Sequence, residues 1–222
     1  MKIEDYTIVI PSCNPPMQEY VYDYICHQAP SERVLKFNGS KYPSFSKLVN
    51  DSILSTKTEV VIICSDKFLP EKKNIDKMLY LLNDGYGLVG LYRFGFFGFT
   101  KHLIKTIGFM DENYTGGNYE DCDYQRRLKE ADIAYYETEE VRRNDMIGES
   151  RWKTSNKEYY ESKWREDETS IQRLISEPEY NYNLGEWPIR KFKSWRDSEM
   201  LIQSLQFKLK SVIQYRGIHT NV

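Results

Sequence analysis

Cysteine is scarce in this chain, and its spacing excludes two kinds of architecture. The four cysteines, Cys13, Cys26, Cys64 and Cys122, lie far apart and include no C-x-x-C pair. A zinc site or a dense disulfide framework needs closely spaced cysteines. Cys64 falls inside an apolar run, where a reduced thiol behaves as a small hydrophobic side chain. We therefore expect free thiols and a cytoplasmic location.

A strong net charge and long apolar runs are also missing. The formal net charge is −2, so the chain as a whole has no field that would collect nucleic acid or anionic membrane. No apolar run approaches the roughly 18 residues that a membrane-spanning helix needs, and the N-terminal run is too short for a signal peptide. We expect no transmembrane segment. One stretch, from Trp187 to Val222, is basic, with seven basic and two acidic residues.

The first third of the chain alternates between apolar runs and helical patterns. Tyr6 to Pro11, Arg33 to Asn38 and Glu59 to Cys64 are rich in β-branched residues and predict strands. Met17 to His27 and the segment that follows Ser44 have helical spacing. Strands and helices in this order predict an α/β fold with a parallel sheet, which binds ligands beyond the carboxyl ends of its strands.

The rest of the chain predicts further elements and a change of character after Gly148. The predicted helices are Lys72 to Leu82, Thr100 to Gly108 and Asp121 to Ala131. The predicted strands are Tyr86 to Tyr92 and Ile133 to Tyr136. The predicted C-terminal part consists of a helix from Ser155 to Ile175, a loop from Glu177 to Pro188, and a basic helix from Ser194 to Gln214. We expect a domain of residues 1–150 and a helical extension of residues 151–222.

Asp66 is the first candidate for chemistry. It follows the apolar run that ends at Cys64, so it would lie at the ligand-binding edge of the sheet. A carboxylate there can coordinate Mg²⁺ or Mn²⁺, which prefer oxygen ligands. The alternative is that Asp66 only caps the loop through its own backbone.

The pair Glu120-Asp121 is the second candidate. It follows the glycines Gly116-Gly117, which can adopt positive φ and let the backbone approach a ligand closely. A carboxylate presented in this way suits a general base. Acidic residues in the first turn of a helix also complement the helix dipole, and this alternative stays open.

The stretch from Tyr92 to Leu128, with Ile107-Gly108-Phe109 and the later Gly-Gly-x-x-Glu-Asp run, resembles the acceptor-side signature of inverting GT-A glycosyltransferases. Both the family 2 type and the β-1,4-galactosyltransferase type carry such a signature. The resemblance covers about residues 5 to 150. It implies a GT-A (Rossmann-like) fold with a mixed, mostly parallel central sheet flanked by helices, here followed by a C-terminal helical extension.

The resemblance also implies an activity and a set of site residues. The donor would be a nucleotide-diphospho-sugar, UDP-linked, and the acceptor a hydroxyl of a glycan or other glycoconjugate. Asp66 and Asp145 would hold Mn²⁺ or Mg²⁺. Asp121 would be the general base on the side of the sugar opposite the leaving diphosphate, and Glu120 would bind acceptor or sugar hydroxyls. The implied donor-binding residues are Pro11, Ser12, Asn14, Asn38, Asn50, Ser65, Gly98 and Gly117.

The chain departs from the family pattern in three places. Cys64 replaces the first acid of the Asp-x-Asp motif, the helix around Asn50 lacks the Arg and Gly of Arg-Asn-x-Gly, and Asp145 stands where the family has a metal-binding His. These departures favour a second hypothesis, a catalytically weak or inactive GT-A domain that acts as a sugar- or nucleotide-binding module.

Two further alternatives concern the class of enzyme and the C-terminal helix. A nucleotidyltransferase on a similar sheet would need a glycine-rich, basic loop after the first strand, where this chain has Pro15-Pro16. The basic C-terminal helix can pack on the catalytic domain, pair with a second subunit in a homodimer, or contact an anionic surface.

Overall fold

The computed structural model describes residues 5–144, 156–164, 179–180 and 192–193. The chain divides into two compact units. The first unit comprises Met1–Pro43, Lys47–Lys101 and Ala134–Arg151, and the second comprises Ser44–Ser46, His102–Ile133 and Trp152–Val222. The prediction of domains 1–150 and 151–222 stays a prediction, and the described segment 156–164 belongs to the second unit.

The strands and helices of the described residues follow one another along most of the chain. The strands are β1 (Tyr6–Ser12), β2 (Val34–Asn38), β3 (Val60–Cys64), β4 (Phe68–Leu69), β5 (Leu88–Phe94), β6 (Phe96–Thr100), β7 (Tyr135–Glu137), β8 (Arg142–Arg143), β9 (Glu179–Tyr180) and β10 (Phe192–Lys193). The helices are α1 (Pro15–Cys26), α2 (Phe45–Leu54), α3 (Lys72–Asn83), α4 (Lys101–Ile107), α5 (Glu120–Glu130) and α6 (Lys157–Lys163), with a 3₁₀ turn at Ser31–Arg33.

Six strands form the central sheet in the order β2-β1-β3-β6-β5-β7. β1 runs parallel to β2 and β3, and β5 runs parallel to β7, whereas β6 is antiparallel to both of its neighbours. The predicted mixed, mostly parallel sheet flanked by helices is confirmed. The sequence pattern did not predict β6, because its residues are buried on both faces and show no polar alternation.

The core of the first unit lies between the sheet and helices α1 and α3. The five residues of β3 are all buried, as expected for a strand covered on both faces. Ile8, Ile62 and Cys64 pack in one cluster with Ile25 of α1 and Met78 of α3. Each fully buried aliphatic side chain of this kind contributes about 1.5–3 kcal/mol. This burial sets the positions of the strand ends.

Local signals place several helix ends where the sequence predicted them. α2 and α4 begin directly after Ser44 and Thr100. α4 ends at Ile107, and the next residue, Gly108, has a φ of 82°, a left-handed value that favours glycine. α1 begins two residues earlier than predicted, because prolines are tolerated in a first helical turn and Asn14 caps it by accepting a hydrogen bond from Met17 N at 3.3 Å.

The predictions for the C-terminal region were wrong in two described places. α6 ends at Lys163, and Trp164 has φ −113° and ψ 46°, so the predicted helix from Ser155 does not continue through Trp164. β9 lies inside the predicted loop and pairs antiparallel with β10. The remainder of that predicted helix and the predicted helix from Ser194 to Gln214 lie outside the described residues.

Two compositional predictions can also be compared with the structure. The four cysteines are free thiols, as expected. None of the helices in the described part of the chain combines the length and the apolar character that a membrane crossing demands.

Gly98 provides a test of packing against the sheet. A Cβ at this position would lie 2.5 Å from Met78 Sδ and 3.3 Å from Ile62 Cγ1. We expect Gly98→Ala to lower the free energy of unfolding by about 1–3 kcal/mol, as overpacking does, when measured by urea denaturation. In a Met78→Ala background the loss should shrink, because the colliding sulfur is gone. An equal loss in both backgrounds would contradict this explanation.

Candidate functional site

The ends of β1 and β3 bring three of the predicted site residues together in the first unit. The two strands are parallel neighbours, so their carboxyl ends meet at one edge. Ser12 Oγ donates a hydrogen bond to Asp66 Oδ2. Ser65 Oγ lies 3.5 Å from Asp66 Oδ1. The expected polar edge with Ser12, Ser65 and Asp66 is therefore present.

The loops at this edge use the side chains of Asn14 and Asn38 for local structure. The oxygen of the Asn14 side chain caps α1, and Asn38 Oδ1 accepts a hydrogen bond from Ser40 N at 2.9 Å. Pro11 pairs with Phe37 across β1 and β2. Both asparagines are exposed, whereas Pro11 is buried. Their roles in donor binding stay predictions.

Asp66 is half-buried, and this changes its acidity. Burial raises the pKa of its carboxyl group, while the hydrogen bond from Ser12 and the nearby charge of Lys67 act in the opposite direction. The raised pKa means that the carboxylate is poorly solvated in the protein alone. A cation or a hydrogen-bond donor that reached it would stabilise its charged form.

The chain approaches Asp66 a second time at Asn144. β8 pairs with β4, which follows Asp66 directly. Asn144 N donates to Lys67 O at 2.8 Å, and Asn144 Nδ2 donates to Asp66 O at 3.2 Å. Asp145, the second predicted metal ligand, lies outside the described residues.

Few charged side chains at this edge could bind a metal ion. The described residues contain no group of three or more His, Cys, Asp and Glu side chains that could hold a metal ion. Cys64 is fully buried, burial raises the pKa of its thiol, and its Sγ lies 3.6 Å from the carbonyl oxygen of Ser65. Cys64 is thus no substitute for a missing acid. One carboxylate with neighbouring hydroxyls fits a hard divalent ion that takes most of its ligands from a diphosphate and water.

Two of the predicted donor-binding residues are not at the strand ends. Gly98 pairs with Ile62 in the middle of β3. The proximity of Met78 gives this glycine a packing role. Asn50 is fully buried within α2. Nothing in these two environments requires a ligand, and their binding roles stay predictions.

In the second unit, an unusual backbone run leads into α5. Gly116, Asn118 and Tyr119 have φ values of 71°, 78° and 70°, all in the left-handed region, whereas Gly117 does not share this conformation. Left-handed backbone is unfavourable for residues with a Cβ. Phe45 N donates to Gly116 O at 2.7 Å, and Ser44, directly before α2, forms a single β-bridge with Gly116, so this segment supports the run. The expectation of positive φ holds at the first glycine of the pair.

The two predicted acceptor-side acids differ in their surroundings. Glu120 is 8% exposed, and its Oε2 has no hydrogen-bond partner among the described residues. Burial, and then the charges of Asp121 and Asp123, raise the pKa of Glu120 to about 7, against the hydrogen bond from its own backbone. Asp121 is half-buried, and its Oδ1 accepts a hydrogen bond from Cys122 N at 2.9 Å. Glu120 can therefore hold or release a proton near neutrality, while Asp121 is accessible.

Four charged side chains lie buried behind this turn. Lys163 Nζ lies 2.6 Å from Asp123 Oδ1 and 2.8 Å from Asp111 Oδ2, and Arg127 Nη2 lies 3.0 Å from Asp123 Oδ2. Arg127 Nη1 also donates to Ile107 O and Phe109 O, both at 2.8 Å. Burial alone would raise the pKa of Asp123, but the charges of Lys163 and Arg127 outweigh it and lower that pKa.

Sequence reasoning missed most of this charged cluster. The sequence pattern did not single out Asp111 or Lys163. The available signal was the spacing of Asp123 and Arg127, four residues apart on one helix. The pairing with Asp111 and Lys163 is long-range and has no local pattern.

Comparisons with known proteins show the fold. No protein-family model matches the chain, and no curated protein matches it. A structure of a mutant Drosophila β-1,4-galactosyltransferase 7 with manganese, UDP-Gal and xylobiose matches with a TM-score of 0.55 at 12% identity, covering 83% of this chain and 90% of that one. The catalytic domain of the Drosophila enzyme with xylobiose matches with a TM-score of 0.53 at 14% identity, covering 74% and 81%.

A third structural neighbour has the same fold. A mannosyltransferase from Pyrobaculum calidifontis, in complex with GDP-Man and Mn²⁺, matches with a TM-score of 0.52 at 10% identity, covering 97% of this chain and 76% of that one. These structural neighbours are GT-A glycosyltransferases. At such low identity the likeness establishes a GT-A fold, and it leaves the activity of this chain to be argued from its residues.

The raised pKa of Glu120 predicts a pH dependence of stability. Its ordinary value of 4.5 applies to the unfolded chain, and the folded value is about 7. Stability should be highest below pH 4.5 as far as this group is concerned, and should fall as the pH rises through 7, by about 3 kcal/mol in total. Glu120→Gln should remove this loss, so the variant should exceed the wild type in free energy of unfolding at pH 8.

Urea denaturation of both proteins between pH 4.5 and pH 8 measures this difference, because all other titrating groups are shared. Curves that run parallel across the whole range would contradict the expected burial of an ionisable Glu120. Asp132→Asn serves as a control, since Asp132 is exposed and its left-handed backbone also suits Asn.

Proposed function

We propose that this protein is a glycosyltransferase that moves a sugar from a nucleotide-diphospho-sugar, UDP-linked, to a hydroxyl of a glycan or other glycoconjugate, with inversion at the anomeric carbon. The observation that carries the proposal is the half-buried Asp66 at the carboxyl end of β3, hydrogen-bonded by Ser12 from the end of β1, on a GT-A sheet. In α/β sheets of this kind, ligands bind at that edge.

The donor side of the proposed reaction is assigned to the first unit. Asp66 would hold a divalent ion, Mn²⁺ or Mg²⁺, and Asp145 is proposed as a further ligand of that ion. The complexes of two structural neighbours contain Mn²⁺ together with UDP-Gal or GDP-Man, which supports this assignment. When bound, the ion would neutralise charge on the departing diphosphate.

The acceptor side is assigned to the first turn of α5. Asp121 takes the proton of the acceptor hydroxyl as its oxygen forms a bond to the anomeric carbon, and the bond from that carbon to the diphosphate oxygen breaks. The half-buried position of Asp121 supports this role, since the carboxylate is reachable yet partly desolvated. The unpartnered Oε2 of Glu120 supports a role in binding a sugar hydroxyl, which would supply the missing donor.

One observation favours a second candidate, a weak or inactive GT-A domain that binds a sugar or nucleotide. Cys64, in place of an acid, is fully buried and has a thiol whose pKa is raised by burial. Asp66 is then the one acid in the positions of the Asp-x-Asp motif, so few negative charges are available to bind the metal ion that turnover would need. Calorimetric titration with UDP-sugars and Mn²⁺, followed by detection of released UDP, separates the candidates, because a pure binder gives heat and no UDP.

Substitution of Asp66 tests the donor side. We expect Asp66→Asn to weaken binding of UDP in the presence of Mn²⁺ by about tenfold or more, and to change binding little when EDTA is present, because only the contact through the ion is lost. Isothermal titration calorimetry measures both affinities. Asp76→Asn is the matched control, since Asp76 is an exposed acid of α3 in the same unit. Equal weakening with and without metal would argue against the assigned role.

Substitution of Asp121 tests the acceptor side. We expect Asp121→Asn to lower kcat by about 10²–10⁴-fold, the usual contribution of a general base, while the affinity for the donor stays near the wild-type value. Transfer to an acceptor glycan, with nucleotide release as the readout, measures the rate. Wild-type turnover by this variant would show that another group takes the proton. Asp132→Asn should leave the rate unchanged.

A further inference from the structure

The side chain of Asn156 contacts the backbone run before α5 at several points. Its Nδ2 lies 3.1, 2.9 and 3.1 Å from the carbonyl oxygens of Thr115, Gly117 and Asn118. Asn156 is 7% exposed, so these contacts are shielded from water. Together with the bond from Phe45 N to Gly116 O, four consecutive carbonyl groups, those of residues 115–118, accept hydrogen bonds.

These hydrogen bonds stabilise a backbone run whose conformation is unfavourable by itself. Gly116, Asn118 and Tyr119 all have left-handed φ values, so this run does not continue as a regular helix or strand and needs other partners for most of its backbone groups. Residues with a Cβ hold such a conformation only where the surroundings impose it. One amide group that reaches three carbonyl oxygens supplies that constraint.

Asn156 directly precedes helix α6, and the other end of α6 contacts the first turn of α5. Trp164 Nε1 donates to Asp123 Oδ1 at 2.8 Å, and Lys163 Nζ lies 2.6 Å from the same oxygen. In between, the rings of Tyr119 and Tyr160 lie 5.5 Å apart. Asp123 follows Glu120 and Asp121 in the same helix. The segment from Asn156 to Trp164 therefore contacts the chain both before and after the two acids.

We infer that Asn156, Lys163 and Trp164 are positioning residues, which hold the run of residues 115–119 and the first turn of α5 so that Glu120 and Asp121 keep a fixed place. The inference rests on the function proposed above as far as catalysis is concerned. Its structural part, the restraint of residues 115–121, stands on the contacts alone. Asn156, Lys163 and Trp164 would thus support the catalytic turn without touching the substrate.

Two gentle substitutions test the inference. Asn156→Ala removes the amide that binds the three carbonyl oxygens, and Trp164→Phe removes one hydrogen bond to Asp123 while keeping an aromatic ring. Glu161→Gln is the matched control, since Glu161 is an exposed residue of α6 whose ion pair with Lys157 is solvated.

The first readout is hydrogen–deuterium exchange of the backbone amides in full-length protein. We expect Asn156→Ala to accelerate exchange at residues 115–121 by about tenfold or more, because the run loses the restraint on its carbonyl groups, opens more often and then exposes its backbone N–H groups to water. Trp164→Phe should accelerate exchange chiefly within the first turn of α5. Amides of β1 and β3 should exchange at wild-type rates, which separates a local effect from global unfolding.

The second readout is transfer kinetics, normalised to the number of UDP-binding sites found by calorimetry. We expect kcat per site to fall about tenfold or more in Asn156→Ala, with the donor KM near the wild-type value, because the acids are misplaced while the donor side is intact. A merely destabilised protein would lose sites instead of rate per site. Glu161→Gln should match the wild type in both readouts.

The outcomes distinguish this inference from the proposed function. Unchanged exchange at residues 115–121 in Asn156→Ala overturns the restraint. Accelerated exchange with unchanged kcat per site overturns the link to catalysis. If the wild type transfers no sugar, the proposed function fails and the catalytic part of the inference fails with it, while the exchange measurement still decides whether Asn156 restrains the run.

Discussion

The strongest physical constraint in the second unit is the burial of two carboxylates with two cations. Asp111 and Asp123 are 0% exposed, Arg127 is 2% exposed and Lys163 is 4% exposed. A charge removed from water needs a partner, and loss of one partner from such a buried set costs about 3–5 kcal/mol. The loop after α4, which carries Asp111, the helix α5 and the end of α6 must therefore keep their mutual positions. The pairing of these buried charges therefore fixes the geometry of the first turn of α5, which contains Glu120.

The first unit relies on a different principle, the shared direction of neighbouring strands. Ser12 and Asp66 lie far apart in sequence, yet parallel pairing of β1 with β3 makes both chain segments leave the sheet at one edge. The apolar strands cannot shift in register without exposing residues such as Ile62. Hydrophobic burial thus determines where a polar, poorly solvated carboxylate is held. The proposed donor chemistry depends on this indirect effect of the core.

Sequence reasoning succeeded where the signal is local and failed where it is not. Patterns of a few residues were enough to predict the three apolar strands of the first third, the start of α2 after Ser44 and the end of α4 just before Gly108. β6 was not predicted, because a strand that is buried on both faces shows no alternation of polar and apolar residues. Gly98 was interpreted as a ligand-binding glycine, although its neighbour Met78 already accounts for the missing side chain. The early end of α6 likewise has no local stop signal.

From its sequence alone, the chain determined an α/β sheet, a polar edge at Asp66 and an acidic helix start at Glu120 and Asp121, since hydrophobic periodicity and turn residues act over short distances. The tertiary structure decided which side chains surround them. It joined Asp123 to Lys163, turned Tyr119 into a left-handed conformation and left the Oε2 of Glu120 buried without a partner among the described residues. Burial and long-range pairing set acidity and position, and both depend on residues that are distant along the chain.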